Sequence, residues 1–138
     1  MTEAAARPLG RAAVHRAWLV WGAAILFFSV APPEWILGAV PRSGWSFASS
    51  AGHVFEFGLF ALFFWLALPA ERAAGRRYAL SAAVSLAFGL AIELIQWPIP
   101  YRSFDLLDWA ADAAGIAAVL LALSACRSLR ARTRSRHR

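Results

Sequence analysis

The sequence predicts an all-α fold: a polytopic membrane protein of four transmembrane helices, with both termini on the cytoplasmic side. Three observations predict it. The chain is 60% hydrophobic and only 16% charged, with a mean hydropathy of +0.54, whereas a soluble domain carries about 25% charged residues. The apolar residues gather into four stretches, each near the roughly 20 residues that cross a hydrocarbon core of about 30 Å. The arginines between those stretches fall consistently on one side.

The first stretch covers residues 17–31 and stops at Pro32-Pro33, and residues 12–16 extend it to spanning length. A basic start and Ser29-Val30-Ala31 also fit a signal peptide. Proline directly after the cut blocks signal peptidase as a rule, so the stretch is read as an uncleaved span. The second stretch covers residues 52–70, the third 78–97 with a stop at Pro98, and the fourth 105–126. Each must be helical, because an open strand would leave backbone groups unbonded in lipid. The division that follows is a cytoplasmic N-terminal segment (1–16), a four-helix membrane domain (17–126) and a basic cytoplasmic tail (127–138).

Every basic residue is arginine, and the net charge is +6. Arg127, Arg130, Arg132, Arg134, Arg136 and Arg138 all lie in the tail. The sequence pI of about 11.2 is thus a property of that tail, which sets topology and meets anionic lipid; no nucleic-acid partner is expected. The N-terminal segment (Arg7, Arg11, Arg16) and the second-to-third connection (Arg72, Arg76, Arg77) lie on the same side as the tail. The opposite side holds only Arg42 and Arg102, but it holds Glu34, Glu56, Glu93, Asp105, Asp108 and Asp112. Positive charge stays inside, so the acids are expected at the extracytoplasmic face. Cys126 is the only cysteine; it forbids an internal disulfide and has no metal-ligand spacing.

Several ionisable residues lie within the apolar stretches, where insertion costs about 2.5–3.5 kcal/mol each and function is the default explanation. On the third helix Ser81, Ser85, Gly89 and Glu93 recur every four residues and Gln96 follows, which makes one face. A carboxylate at Glu93 opposes the helix dipole. His53 and Glu56 open the second helix on one face; headgroup wetting of His53 and a favourable first-turn charge at Glu56 are the structural alternatives. Asp105, Asp108 and Asp112 open the fourth. Asp105 also fits an N-cap, whereas Asp112 lies too deep for one. Arg102 is the expected cation for these acids. Gly115 lets another helix approach, and two alanine stripes (Ala79, Ala83, Ala87, Ala91; Ala110, Ala114, Ala118, Ala122) are expected at helix contacts. Trp18, Trp21, Trp35, Trp45, Trp97 and Trp109 lie mostly near span ends, as interface anchors do. The topology brings the start of helix two, the end of helix three and the start of helix four to one face, so the eight polar residues are expected to form one cluster.

The segments GHVFEFGLFAL (52–62) and FGLAIELIQWPIPYRSFDLLDWAADAAG (88–115), with the basic loop between them, resemble the VanZ-like family of small bacterial membrane proteins. The family pattern is a His opening one helix, a later E-x-x-Q, a proline-containing link to an Arg, an Asp pair and N-x-x-G. His53, Glu93, Gln96, Arg102, Asp105, Asp108 and Gly115 match it, while Asp112 stands where the usual Asn would be. The resemblance implies a multi-pass protein of the bacterial cytoplasmic membrane and a link to cell-envelope chemistry. The family is named for a protein linked to teicoplanin resistance; it supplies no reaction and no cofactor.

Three functions follow as expectations. In the first, the chain is an enzyme on a lipid-linked or envelope substrate. His53, Glu93 and Asp108 are its catalytic candidates, with His53 or Glu93 as general acid or base. Glu56, Gln96, Arg102, Asp105 and Asp112 are its binding candidates, with Arg102 on a substrate phosphate or carboxylate. The aspartates would suit a hard divalent cation, although no spacing is diagnostic of one. In the second, the chain is a non-catalytic assembly or binding factor with a membrane-protein partner or a second copy of itself. In the third, it is a channel or carrier, for which polar groups at one end only make a poor pathway.

Overall fold

The computed structural model describes residues 10–32, Trp35 and 45–136. It contains four long helices: α1 (Arg11–Val30), α2 (Trp45–Ala67), α3 (Ala74–Gln96) and α4 (Leu106–Arg136). There is no strand among the described residues. Each helix is long and apolar enough to cross a membrane. Glu3, Arg7, Glu34, Arg42 and Arg138 lie outside the described residues, as do the side chains of Trp45, Arg134 and Arg136.

Prolines set the stops. Ala31 turns to φ −63°, ψ 143°, because the residue before a proline is pushed out of the helical region. α2 ends just before Leu68-Pro69, and α3 ends at Gln96, just before Trp97-Pro98. α1 starts at Arg11, as the flank implied. α2 starts at Trp45, well before the expected residue 52. α4 continues through the basic segment to Arg136.

The helices run up, down, up and down. α2 is central and packs on α1, α3 and α4, with its most extensive contact on α4. Its core is Ile25, Phe57, Phe60, Ala61, Ile92 and Ile116, and the Phe60 and Phe88 rings stack at 4.7 Å.

α3 is amphipathic in the sense that suits lipid. Its buried face is Arg77, Ser81, Ser85, Gly89, Ile92, Glu93 and Gln96, which is the polar face expected from the four-residue spacing. Ala79, Ala83, Ala87 and Ala91 are exposed on the other side, and Ala110, Ala114, Ala118 and Ala122 are exposed on α4. The expected alanine contacts are therefore overturned within this bundle. Methyl groups are at home in hydrocarbon, whereas polar side chains find partners only inside.

Glycines make the close approach instead. A Cβ on Gly115 would overlap the backbone carbonyl of Val54 on α2, and one on Gly58 would lie 3.4 Å from the Gly115 carbonyl oxygen. The tryptophans divide: Trp35 and Trp97 are exposed, as anchors are. Trp21 and Trp109 join helices instead, donating from Nε1 to the Glu56 and Leu86 carbonyls at 2.9 and 3.2 Å.

Candidate functional site

The ends of α1 and α3 and the beginnings of α2 and α4 meet at one end of the bundle, where the polar cluster is assembled. His53 lies two turns into α2, about 12 Å along it, so neither His53 nor Glu56 is a first-turn residue. His53 Nδ1 lies 2.8 Å from Asp112 Oδ1 on α4. With Asp112 ionised, its carboxylate only accepts, and Nδ1 then carries the proton in that bond. His53 Nε2 faces Asp108 Oδ2 at 3.6 Å, and Ser50 hydrogen-bonds Asp108.

Exposure decides how these groups divide the work. The Asp112 side chain is 1% exposed, while His53 is 15% and Asp108 22% exposed. Asp112 is sealed inside and satisfied by the imidazole, as a buried carboxylate must be. His53 and Asp108 reach the surface. A backing carboxylate that fixes one ring nitrogen leaves the other free to take or give a proton. Gly89 makes room for this: a Cβ there would stand 2.6 Å from Asp112 Oδ2.

Glu56, Asp108 and Asp112 all act electrostatically on His53, and Glu93 feels His53, Asp108 and Asp112. Glu93 is 1% exposed, and its Oε2 accepts the Asp105 backbone N–H at 2.8 Å. Asp105 Oδ1 in turn accepts from the Leu107 N–H at 2.8 Å. Asp105 is thus the N-cap of α4, and Glu93 satisfies the cap residue's own amide from α3. The arrangement resembles a capping box with its glutamate supplied by another helix.

Gln96 and Arg102 turn the other way. Gln96 Nε2 donates to the Ser29 carbonyl at 2.9 Å, and Tyr101 donates to Val30 at 3.0 Å. Arg102 Nη2 donates to Phe28 and Ala31, each at 2.9 Å. These are the carbonyls that a helix leaves unpaired at its carboxyl end. Arg102, expected as the cation for the acids, therefore closes α1, and no ion pair joins it to a carboxylate among the described residues.

Of the eight expected residues, His53 meets Asp108 and Asp112 directly, and Glu56 and Glu93 act on these groups only through their charge. Asp105 caps α4, and Gln96 and Arg102 hold α1. Ser50 and Tyr101 were not anticipated. Ser50 was legible as the residue three before His53, on its face, once the helix is extended back to Trp45. Among the described residues, no group of three or more His, Cys, Asp or Glu side chains is placed to hold a metal ion.

The fold and site define a multi-pass membrane protein with a half-buried histidine on a buried aspartate at one end of a four-helix bundle. The chain belongs to the VanZ/LLP1 family, whose model matches residues 13–127. No curated protein and no solved structure matches it.

The donors to the α1 carbonyls should differ in what their loss costs. Gln96 is buried and Tyr101 exposed, so Gln96→Leu should lose about 1–3 kcal/mol by stranding the Ser29 carbonyl. Tyr101→Phe should lose less than about 1 kcal/mol, because water reaches the freed group. Thermal unfolding in detergent measures both, and equal losses would contradict the assignment.

Proposed function

We propose that the chain recognises or processes a lipid-linked or cell-envelope substrate at the extracytoplasmic face of a bacterial cytoplasmic membrane, with His53 as the proton-transferring group. The observation that carries this reading is His53 held at Nδ1 by the sealed Asp112 while Nε2 faces the more exposed Asp108. In that reading Asp112 is a positioning residue. Asp108 and His53 meet the substrate, and Glu56 and Glu93 set the surrounding charge. Gln96 and Arg102 act indirectly, by fixing the end of α1 beside the site. The neutral imidazole would accept a proton from a substrate hydroxyl or from water at Nε2 and return it to the departing group.

A second reading, a non-catalytic assembly or binding factor, is favoured by the outward alanine faces of α3 and α4. Such surfaces let a further helix pack closely.

The experiment compares bacterial membranes carrying the chain, or its His53→Gln variant at equal abundance, by mass spectrometry of their lipids and lipid-linked envelope intermediates. A species altered by the parent chain and untouched by His53→Gln is expected. Identical profiles with and without the chain would remove the processing reading, and an altered species that survives His53→Gln would remove His53 from the chemistry. Orientation has its own check. In a Cys126→Ser background, Ser135→Cys should react with an impermeant maleimide only after spheroplasts are opened. Labelling of intact spheroplasts would place the cluster on the cytoplasmic side.

A further inference from the structure

The opposite end of the bundle carries a different chemistry. Four polar atoms there are buried without a hydrogen-bond partner: Trp65 Nε1, Arg77 Nε, Tyr78 Oη and Ser81 Oγ. Trp65 is 8% exposed, Arg77 7% and Ser81 0%. An indole N–H and a guanidinium Nε–H can only donate, and a buried donor left unpaired costs about 1–3 kcal/mol. Arg77 and Tyr78 gather around the Trp65 ring. The Arg77 guanidinium lies 4.0 Å over the Trp65 indole, and the Tyr78 ring stacks on Trp65 at 5.7 Å. Arg77 Nη2 is already used, donating to the Trp65 carbonyl at 2.7 Å.

Charge points the same way. Arg77 makes no ion pair among the described residues. Arg127 and Arg11 add positive potential there, and the acid that acts on it is Glu71. Glu71 is exposed and pairs with Arg11 at 3.4 Å. Its carboxyl is held below the usual range, first by a backbone hydrogen bond and then by the Arg11 charge. The amino end of α3 has no side-chain cap and no acid in its first turn, and places Arg77 where the helix dipole favours an anion. What this end lacks is an acceptor bearing negative charge.

We propose that Trp65, Arg77 and Tyr78 form a phosphate-binding site at the basic end of the bundle, filled by the headgroup of an anionic phospholipid. The depth suits a headgroup: Trp65 lies two residues before the end of α2 and Arg77 three after the start of α3, about 3–5 Å from the helix ends. A phosphodiester offers several acceptor oxygens and one negative charge, which the indole, guanidinium and phenol donors can share. The site is independent of the His53 cluster and of the function proposed for it.

The test uses the full chain in neutral detergent, with its basic tail intact. Native mass spectrometry measures binding of phosphatidylglycerol, of a phosphate-free glycosyl diacylglycerol with the same acyl chains, and of inorganic phosphate. Phosphatidylglycerol should bind at least about tenfold more tightly than the glycolipid. The Trp65→Phe/Tyr78→Phe variant keeps both rings and should lose that preference. Tyr78→Phe alone, the milder change, should lose part of it. Displacement of the lipid by millimolar inorganic phosphate would keep the phosphate site and assign it to a soluble source. A full preference retained in the folded double variant would overturn the proposal, because the tail would then account for the binding.

Discussion

A polar group at membrane depth has no water to bond with, and the architecture of this chain follows from that constraint. α1 stops at a proline and leaves its last carbonyls without partners in the helix. Gln96, Tyr101 and Arg102, all from the end of α3 and the connection after it, satisfy them. Glu93 and Asp105 do the equivalent for the amides that begin α4. Each of these bonds except the Asp105 cap ties a helix end to a residue distant in sequence, so backbone satisfaction and helix assembly go together. Glu93 and Gln96 find their partners on the buried face of α3, and the alanines of that helix face outward.

The candidate site grows out of that scaffold. The contact at Gly115 lets α2 and α4 approach until His53 reaches Asp112, and Gly89 gives the Asp112 carboxylate its space against α3. Two glycines on two helices therefore set the reach of one hydrogen bond. The result is graded in exposure, from a sealed carboxylate through a half-buried imidazole to a more open carboxylate. The two ends of the bundle are chemically complementary: one gathers acceptors around a histidine, the other gathers donors around a tryptophan.

Much of this was legible in the sequence, because lipid makes the sequence code simple. Four apolar stretches gave four helices, and the spacing of Ser81, Ser85, Gly89 and Glu93 gave the inward face of α3. The meeting of His53 with Asp108 and Asp112 followed from topology alone. What was not legible depended on direction. Arg102 looked like the natural partner of nearby acids, but no count of charges reveals that the end of α1 needs donors more. The alanine stripes have the spacing of a helix contact, yet periodicity does not say whether a face of small residues meets a helix or lipid. The start of α2 was not legible because the expected span follows the apolar stretch, which begins only at residue 52, and the helix runs on beyond it to Trp45. The buried donors around Trp65 carry no sequence signal, since they arise from tertiary packing of two helix ends.

The candidate site depends on Asp112 fixing the imidazole of His53 with its proton on Nδ1. Nitrogen-15 NMR of the imidazole nitrogens in the full chain, with the His53 signals assigned by their loss in His53→Gln, tests it directly. A protonated, hydrogen-bonded Nδ1 is expected in the parent chain, with an Nε2 that exchanges protons with the medium and an Nδ1 signal that shifts in Asp112→Asn. An Nδ1 without a proton, or a mixture of tautomers unchanged by Asp112→Asn, would contradict it.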